Sequence, residues 1–240
     1  MLLLALDTAT TTCSAALLQG NRVRAVSHLH RPRAHAQHLT PLVDDLLARA
    51  EQTPADLDAV AVSMGPGSYT GLRIGVSTAK GWALAHGAAL VGVPTLEALA
   101  AHVRPWGHPG DLVCALLDAR RDDVYAAAYR LPSSSQDPLE LHAGPDALDV
   151  AAVPETLRLP TGTGTVWLVG SGTPKAEPVV RDHCTGSLRS ISTDRAFAPA
   201  VWVGQCAHER LRRNETDDVA LFEPLYLKAF HGTPSATRLV

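Results

Sequence analysis

Asp7 and the threonines around it form the first group of side chains in this chain that could do chemistry. Residues 2–8 read LLLALDT, a continuous apolar run that ends in a carboxylate and a hydroxyl. Such a run is typical of a buried strand, which would deliver Asp7 to the edge of a sheet. Residues 8–12 read TATTT, and a carboxylate beside several hydroxyls can position a hydrated Mg²⁺ ion and phosphate oxygens. A hydrogen-bonded hairpin turn without a ligand is the alternative.

A second candidate is the glycine-rich segment at residues 64–81, MGPGSYTGLRIGVSTAKG. A glycine-rich turn that opens a helix can cradle a phosphate through its backbone N–H groups. The segment is not a Walker A loop, because no lysine stands at the required place, and after Gly65 and Gly67 the next glycine comes one residue too late for GxGxxG. Weaker anion binding at the start of the helix stays open.

Small residues recur at every fourth position of that segment, at Gly71, Gly75, Ala79 and Ala83. They therefore share one face of the predicted helix. Each glycine inside a helix costs about 1 kcal/mol relative to alanine, so the pattern indicates a need for close backbone approach. We favour a contact with a helix of another subunit, because small residues let helices pack closely. Packing on the protein's own sheet is the alternative.

Other reactive side chains do not complete a site in the sequence. His28, His30, His35 and His38 lie close together, but no neighbouring cysteine or acidic residue completes a zinc-ligand pattern. A solvated loop before a helix is the simplest interpretation of this basic stretch. The segment GSYTG is not a GxSxG nucleophile elbow, and no Ser–His–Asp set stands out. The sequence therefore predicts no metal site and no complete catalytic centre.

The apolar pattern predicts the elements that position these residues. A meander of three strands is followed by helix, strand, helix, strand and helix, in the order βββαβαβα. Residues 104–111, RPWGHPGD, predict a linker. Beyond it, an apolar strand that ends in Asp118 begins a hairpin and repeats the opening pattern. Residues 131–165 predict loops and short elements, 197–213 a late helix, and 223–230 a short extended piece.

Composition and charge exclude several classes of protein. With 240 residues and a net charge of −3, the chain lacks the excess of Lys and Arg that a stand-alone nucleic-acid-binding protein needs. Its four cysteines are far apart, which indicates reduced thiols. No apolar run reaches the roughly 18 residues of a membrane helix, and Asp7 interrupts the first run too early for a signal peptide. We expect a cytoplasmic protein without membrane contact.

Five segments together resemble the bacterial TsaB (YeaZ) family: LALDTATTTCSAAL, RAHAQHLTPLVDDLL, SMGPGSYTGLRIGVSTAKG, DARRDDVYAAAY and EPLYLK. GPGSYTGLRIG at 65–75 is the most specific of them, and the resemblance is close over the first 130 residues. It implies an α/β, actin-like (ASKHA) fold of two related lobes, each a mixed sheet with helices. We place the lobes at residues 1–105 and 106–240, the second reduced, with its last helix able to pack back on the first.

The resemblance also implies what the chain does. Members of the family are non-catalytic scaffold subunits in the biosynthesis of threonylcarbamoyladenosine, next to the anticodon of ANN-decoding tRNAs. They dimerise with the catalytic TsaD subunit, support recruitment of the TsaE ATPase, and reach tRNA only through the complex. The implied interface involves helices 36–51 and 68–86. Its candidate residues are Leu39, Leu42, Leu46, Tyr69, Gly71, Leu72, Gly75, Ala79 and Ala83.

The first hairpin departs from that of actin-like ATPases, which carry Asp-x-Gly-Thr. Ala9 stands where they have glycine, and its methyl group opposes close contact between backbone and phosphate. The start of the second half, LLDARRDD, also lacks the glycines of a second phosphate loop. We therefore expect a degenerate nucleotide site at Asp7, Thr10, Gly65 and Gly67 and no cofactor of the protein's own. A nucleotide at the interface with the partner subunit stays open.

Two alternatives compete with the scaffold hypothesis. The chain could be a stand-alone actin-like nucleotide hydrolase or a glycoprotease-like peptidase, with Asp7 and the threonine hairpin as its site. In isolation it could also form a homodimer through the same two helices.

Overall fold

Each half of the chain builds one five-stranded sheet, in a computed structural model that describes residues 1–31, 35–134, 137–191 and 199–228. The strands of the first sheet are β1 (Leu2–Asp7), β2 (Thr12–Gln19), β3 (Arg22–His30), β4 (Ala59–Gly65) and β5 (Ala89–Pro94). Those of the second are β6 (Leu112–Asp118), β7 (Asp123–Arg130), β8 (Glu140–Asp149), β9 (Thr165–Val169) and β10 (Ser187–Ile191). The α-helices are α1 (His35–Arg49), α2 (Tyr69–His86), α3 (Thr95–Ala101), α4 (Val153–Thr156), α5 (Thr173–His183) and α6 (Pro199–Arg212).

The two sheets share one topology. Their strand orders are β3-β2-β1-β4-β5 and β8-β7-β6-β9-β10. In each sheet the first three strands form an antiparallel meander, and the last two continue it in parallel from the first strand. The prediction of two related lobes, each with a mixed sheet, is confirmed.

Helices cover both faces of the first sheet, which explains why β1 and β4 are apolar at nearly every position. Leu4 and Leu6 of β1 pack with α1 and α2, whereas Leu3 and Ala5 pack with α3 and α6. The α6 helix comes from the far end of the chain. Its Ala200 N–H donates to the Ser14 hydroxyl of β2 at 3.1 Å. The first sheet is therefore completed by a helix that lies outside residues 1–105.

The boundaries of α2 follow from local side-chain chemistry. The Ser68 hydroxyl accepts a hydrogen bond from the Gly71 N–H at 3.3 Å and caps the start of the helix. Gly87 ends it in the left-handed region at φ 67°, where glycine carries no steric penalty. None of the helices in the described ranges is both long and apolar enough to cross a membrane.

The second lobe holds more regular structure than the sequence predicts. Residues 131–165, predicted as loops and short elements, contain the ten-residue strand β8. The α5 helix and β10 were not predicted, because α5 includes Pro178 and β10 is mostly polar. The predicted late helix corresponds to α6, while residues 197 and 198 of that prediction, and 229 and 230 of the extended piece, lie outside the described residues.

Candidate functional site

Asp7 is the centre of the candidate site and lies at the carboxyl end of β1, in the middle of the first sheet. Ser14 pairs with it on β2, and the β1–β4 register places Ser63 beside it on β4. All three side chains are fully buried. The sheet thus brings one carboxylate and two hydroxyls to a single edge, as the apolar run that ends in Asp7 predicts.

Burial determines the electrostatics of Asp7. Desolvation raises the pKa of its carboxyl group to about 6, against smaller lowering contributions from the Ser63 hydroxyl and the Ala9 N–H. Within the part of the chain that the structure describes, neither carboxylate oxygen has a hydrogen-bond partner of good geometry. Such a group is costly to bury as an anion, so Asp7 stays protonated up to a higher pH than an ordinary aspartate does.

The threonine hydroxyls of the first turn are mostly used by the fold itself. The Thr8 hydroxyl donates to the Gly71 carbonyl oxygen at 2.8 Å, and the Thr10 hydroxyl accepts from the Thr12 N–H at 3.3 Å. The Thr12 hydroxyl pairs with Nδ1 of His30 at 3.0 Å. These bonds agree with the alternative of a hydrogen-bonded hairpin turn.

A narrow cleft separates this turn from the second lobe. Its lining includes Asp7, Thr10 and Thr95 on one side and Leu117 and Ser171 on the other. The enclosed volume is about 50 Å³, room for a few water molecules and far below the few hundred Å³ that small-molecule sites offer. The cleft in this conformation is therefore smaller than a nucleotide.

Gly65 and Gly67, predicted as part of a degenerate nucleotide site, do not line that cleft. A Cβ atom on Gly67 would lie 2.5 Å from the Ala9 carbonyl oxygen, and one on Gly65 would collide with the Leu225 carbonyl oxygen. The Ser68 N–H donates to the Ala9 carbonyl oxygen at 2.7 Å. Their lack of side chains thus serves contacts within the chain, and a ligand role for these glycines stays a prediction.

The small-residue stripe of α2 also faces inward. Gly71 and Gly75 press against Thr8, while Ala79 and Ala83 belong to the core between α2 and the first sheet. All four are buried, so the interpretation of the stripe as a partner surface is wrong for this conformation. The close approach that the glycines indicate is real, but it is an approach to β1 and its turn.

The remaining candidate interface residues divide by burial. Leu39, Leu46 and Leu72 are at most 2% exposed and pack inside the first lobe, whereas Leu42 and Tyr69 are half-buried. The outward face of α2 carries other residues, which the small-residue pattern does not indicate. They include Arg73, Ser77, Gly81 and Leu84. Because the stripe points inward, the helical period places these residues on the opposite, exposed side of α2.

Two histidines of the basic stretch, His30 and His35, bond to the turn after β1. His35 is buried and pairs through Nε2 with the Thr10 carbonyl oxygen at 3.0 Å, which fixes the start of α1 to the first turn. Among the residues with described positions, no group of three or more His, Cys, Asp or Glu side chains could hold a metal ion.

The equivalent turn of the second lobe is charged. Asp118, at the end of β6, accepts a hydrogen bond from the Arg120 N–H at 2.7 Å and pairs with Nζ of Lys175 at 2.8 Å. Partial burial raises the pKa of Asp118, but the lysine and the N–H group outweigh it and the pKa is lowered. Arg120 and Arg121 occupy the turn in the left-handed region at φ 69° and 51°.

Comparison with known proteins agrees with this geometry. Residues 30–230 match the family model described as "TsaD: tRNA N6-adenosine threonylcarbamoyltransferase". The structure of YeaZ from Pseudomonas aeruginosa superposes with a TM-score of 0.78 and 31% identity, over 94% of this chain and 99% of that one. A component of (R)-2-hydroxyglutaryl-CoA dehydratase from Acidaminococcus fermentans, 9% identical with a TM-score of 0.52 over 88% and 99% of the two chains, shares the fold alone.

Sequence relatives narrow the assignment. The protein named TsaB from Escherichia coli is 41% identical over 131 residues, 54% of this chain and 55% of that protein. TsaB from Haemophilus influenzae is 28% identical over 94% and 93% of the two chains. The matched region spans about half the length of the first two curated relatives, 55% and 56%.

The topology and the matches together define a protein of two related lobes, in the family that the TsaD model describes. The chain belongs to the TsaB (YeaZ) family.

Proposed function

We propose that the protein is a non-catalytic subunit in the biosynthesis of tRNA threonylcarbamoyladenosine and acts as the partner of a TsaD-type transferase. Its membership of the TsaB family carries the proposal. The narrow cleft beside Asp7 supports it, because a nucleotide hydrolase of this fold needs room for its substrate. The same observation weighs against the stand-alone hydrolase.

The outward face of α2, together with α1, is the surface proposed to meet the partner. Leu84 is 77% exposed on this helix, and Ile74 and Leu42 are only partly covered by the first-lobe core. A large exposed apolar side chain on a helix gains stability when a partner helix covers it. In this proposal Tyr69 and Leu42 keep their predicted place at the interface, and the buried stripe supports the helix from behind.

The partner test uses a TsaD homologue from the same organism. Mixed with the parent protein, it should elute from gel filtration as a heterodimer, with masses checked by light scattering. Leu84→Asp should weaken the association at least tenfold, because a carboxylate would be buried against apolar surface. Leu141→Asp is the matched control, since Leu141 is 50% exposed on β8 of the other lobe.

Two outcomes would contradict the proposal in different ways. If the two folded proteins do not associate, the partner role fails. If they associate and both variants bind equally well, the role stands but the α2 face is not the interface. Light scattering on the protein alone tests for a homodimer through the same face. Adding a TsaE homologue and ATP to the heterodimer tests whether the ATPase is recruited and whether a nucleotide binds only in the assembly.

A further inference from the structure

The C-terminal strap, residues 217–228, connects the two lobes by a route separate from the rest of the chain. It follows α6 and contains the EPLYLK segment, for which the proposed function gives no role. It passes along β5, crosses the end of β4 and reaches the turn between β6 and β7.

The first part of the strap is anchored on the first lobe. The Asp217 N–H donates to the Leu90 carbonyl oxygen at 2.8 Å, and its carboxylate accepts from the Gly92 N–H at 2.7 Å. Phe222 is 6% exposed, and its ring fills the space that a side chain on Gly92 would occupy. Lys80 of α2 donates from Nζ to the Phe222 carbonyl oxygen at 2.9 Å.

The middle of the strap covers the turn between β4 and α2. The Leu225 N–H donates to the Met64 carbonyl oxygen at 2.7 Å, and its carbonyl oxygen lies where a side chain on Gly65 would be. The ring of Tyr226 contacts that of Tyr69, with centroids 4.8 Å apart. The Ser68–Ala9 bond described above ties this turn to the turn after β1, residues 8–12. We call residues 8–12 the first-lobe lip of the cleft.

The end of the strap is held by the second lobe. Nζ of Lys228 pairs with the Asp123 carboxylate at 2.6 Å and donates to the Ala119 carbonyl oxygen at 3.3 Å. It also lies 5.7 Å from the ring centroid of Tyr125, a favourable position for a cation. Ala119 lies in the turn after β6, two residues beyond Leu117, which lines the cleft; we call this turn, residues 118–122, the second-lobe lip.

We infer that the strap is a latch that holds the two lips of the cleft together. The Lys228–Asp123 ion pair closes this latch on the second lobe. The lobes also share an apolar cluster around α3 and α6, which forms the base of the cleft. A tie at the lips limits opening about that base. The Lys228–Asp123 pair is the weakest link, because both side chains are partly exposed and surface ion pairs weaken with salt.

The latch can be tested by measuring the distance between the lips. Spin labels on Thr11→Cys and Asp122→Cys place one probe on each lip, and both positions are exposed. The four native cysteines are buried and leave the engineered thiols as the reactive ones. Pulsed electron resonance on the labelled full chain then gives the parent distance distribution.

Lys228→Ala should shift this distribution to longer distances and broaden it, and high salt should do the same to the parent. Phe222→Ala, which removes the lobe-one anchor, should have the same effect if circular dichroism shows that it folds. Lys228→Glu combined with Asp123→Lys should shift the distribution part of the way back, because it rebuilds the ion pair with reversed charges but not the hydrogen bond to the Ala119 carbonyl oxygen.

Lys175→Ala is the matched control. It removes an ion pair of similar length and exposure from the same hairpin, but that pair joins the second lobe to itself. It loosens the second-lobe turn locally, because Nζ of Lys175 also donates to the Arg121 carbonyl oxygen, but it should leave the mean distance unchanged, since the strap stays fastened. The latch is excluded if folded Lys228→Ala superposes on the parent, or if Lys175→Ala opens the cleft as much.

Discussion

The turns after β1 and β6 occupy equivalent places in the two lobes, yet different kinds of interaction hold them in place. In the first lobe, Asp7 is buried without a partner among the described residues, and α2 presses on Thr8 through its glycines. In the second, Asp118 is partly exposed and paired with Lys175. One topology thus carries a lip fixed by close packing and a lip fixed by charge.

The two lobes share their strand topology but differ in the interactions that hold the equivalent turn. Close packing is insensitive to salt and tolerates no added atoms, whereas exposed ion pairs are screened and individually weak. The first lip should therefore respond to changes in volume and the second to changes in charge. Substitutions at Gly75, Asp7 and Asp118 test this contrast.

Gly75→Leu should reduce the free energy of unfolding by about 3 kcal/mol, because a side chain there collides with the Thr8 hydroxyl. Gly81→Leu is the control on the same helix: a side chain at Gly81 meets nothing within 4 Å, so stability should rise by up to about 1 kcal/mol. Urea unfolding measures both. Equal stability of the two variants, with partner binding lost only in Gly75→Leu, would restore the interpretation of the stripe as an interface.

Asp7→Asn should change how stability depends on pH. The pKa of Asp7 rises from 3.8 to about 6 on folding, so the native state keeps its proton longer and the parent loses stability as pH rises through this window. The loss amounts to about 3 kcal/mol. The stability of Asp7→Asn minus that of the parent should grow by this amount between pH 3 and pH 8, in urea melts across pH. A constant difference would mean that Asp7 is hydrated or paired in solution.

Asp118→Asn should give a smaller effect of opposite sign. Because its pKa is lowered on folding, Asp118 contributes stability above its ordinary pKa of 3.8 and loses that contribution as pH falls. Its side chain is 45% exposed, so screening limits the loss at neutral pH to below about 1 kcal/mol. Urea melts at low and high salt should show that the effect disappears with salt. If Asp118→Asn lost as much stability as the change expected at Asp7, the two lips would not differ in the way proposed.

The sequence predicts much of the fold because apolar runs and helical periodicity are strong signals where burial is complete. Asp7 at a strand end follows from this, as do β1 and α2. The β8 strand was missed because it contains Gly144 and Pro145, residues typical of loops, and α5 because Pro178 interrupts its pattern.

The site was predicted only in part, for a physical reason. A stripe of small residues specifies that something comes close, but not whether it is another subunit or the same chain, and Gly71 and Gly75 meet Thr8. Gly65 presents the same ambiguity, since the chain that approaches it lies 160 residues away at Leu225. Contacts between such distant positions leave no periodic signal in one sequence.

The position of α6 on the first sheet has a consequence for synthesis on the ribosome. Chains fold from the amino terminus as they emerge, at about 5–20 residues per second, yet Leu18 and Ser14 of the first sheet pack against α6, residues 199–212. The lobe that is made first is therefore finished last. Until α6 has emerged, the part of this apolar sheet face that α3 does not cover stays open to chaperones or to a neighbouring nascent chain.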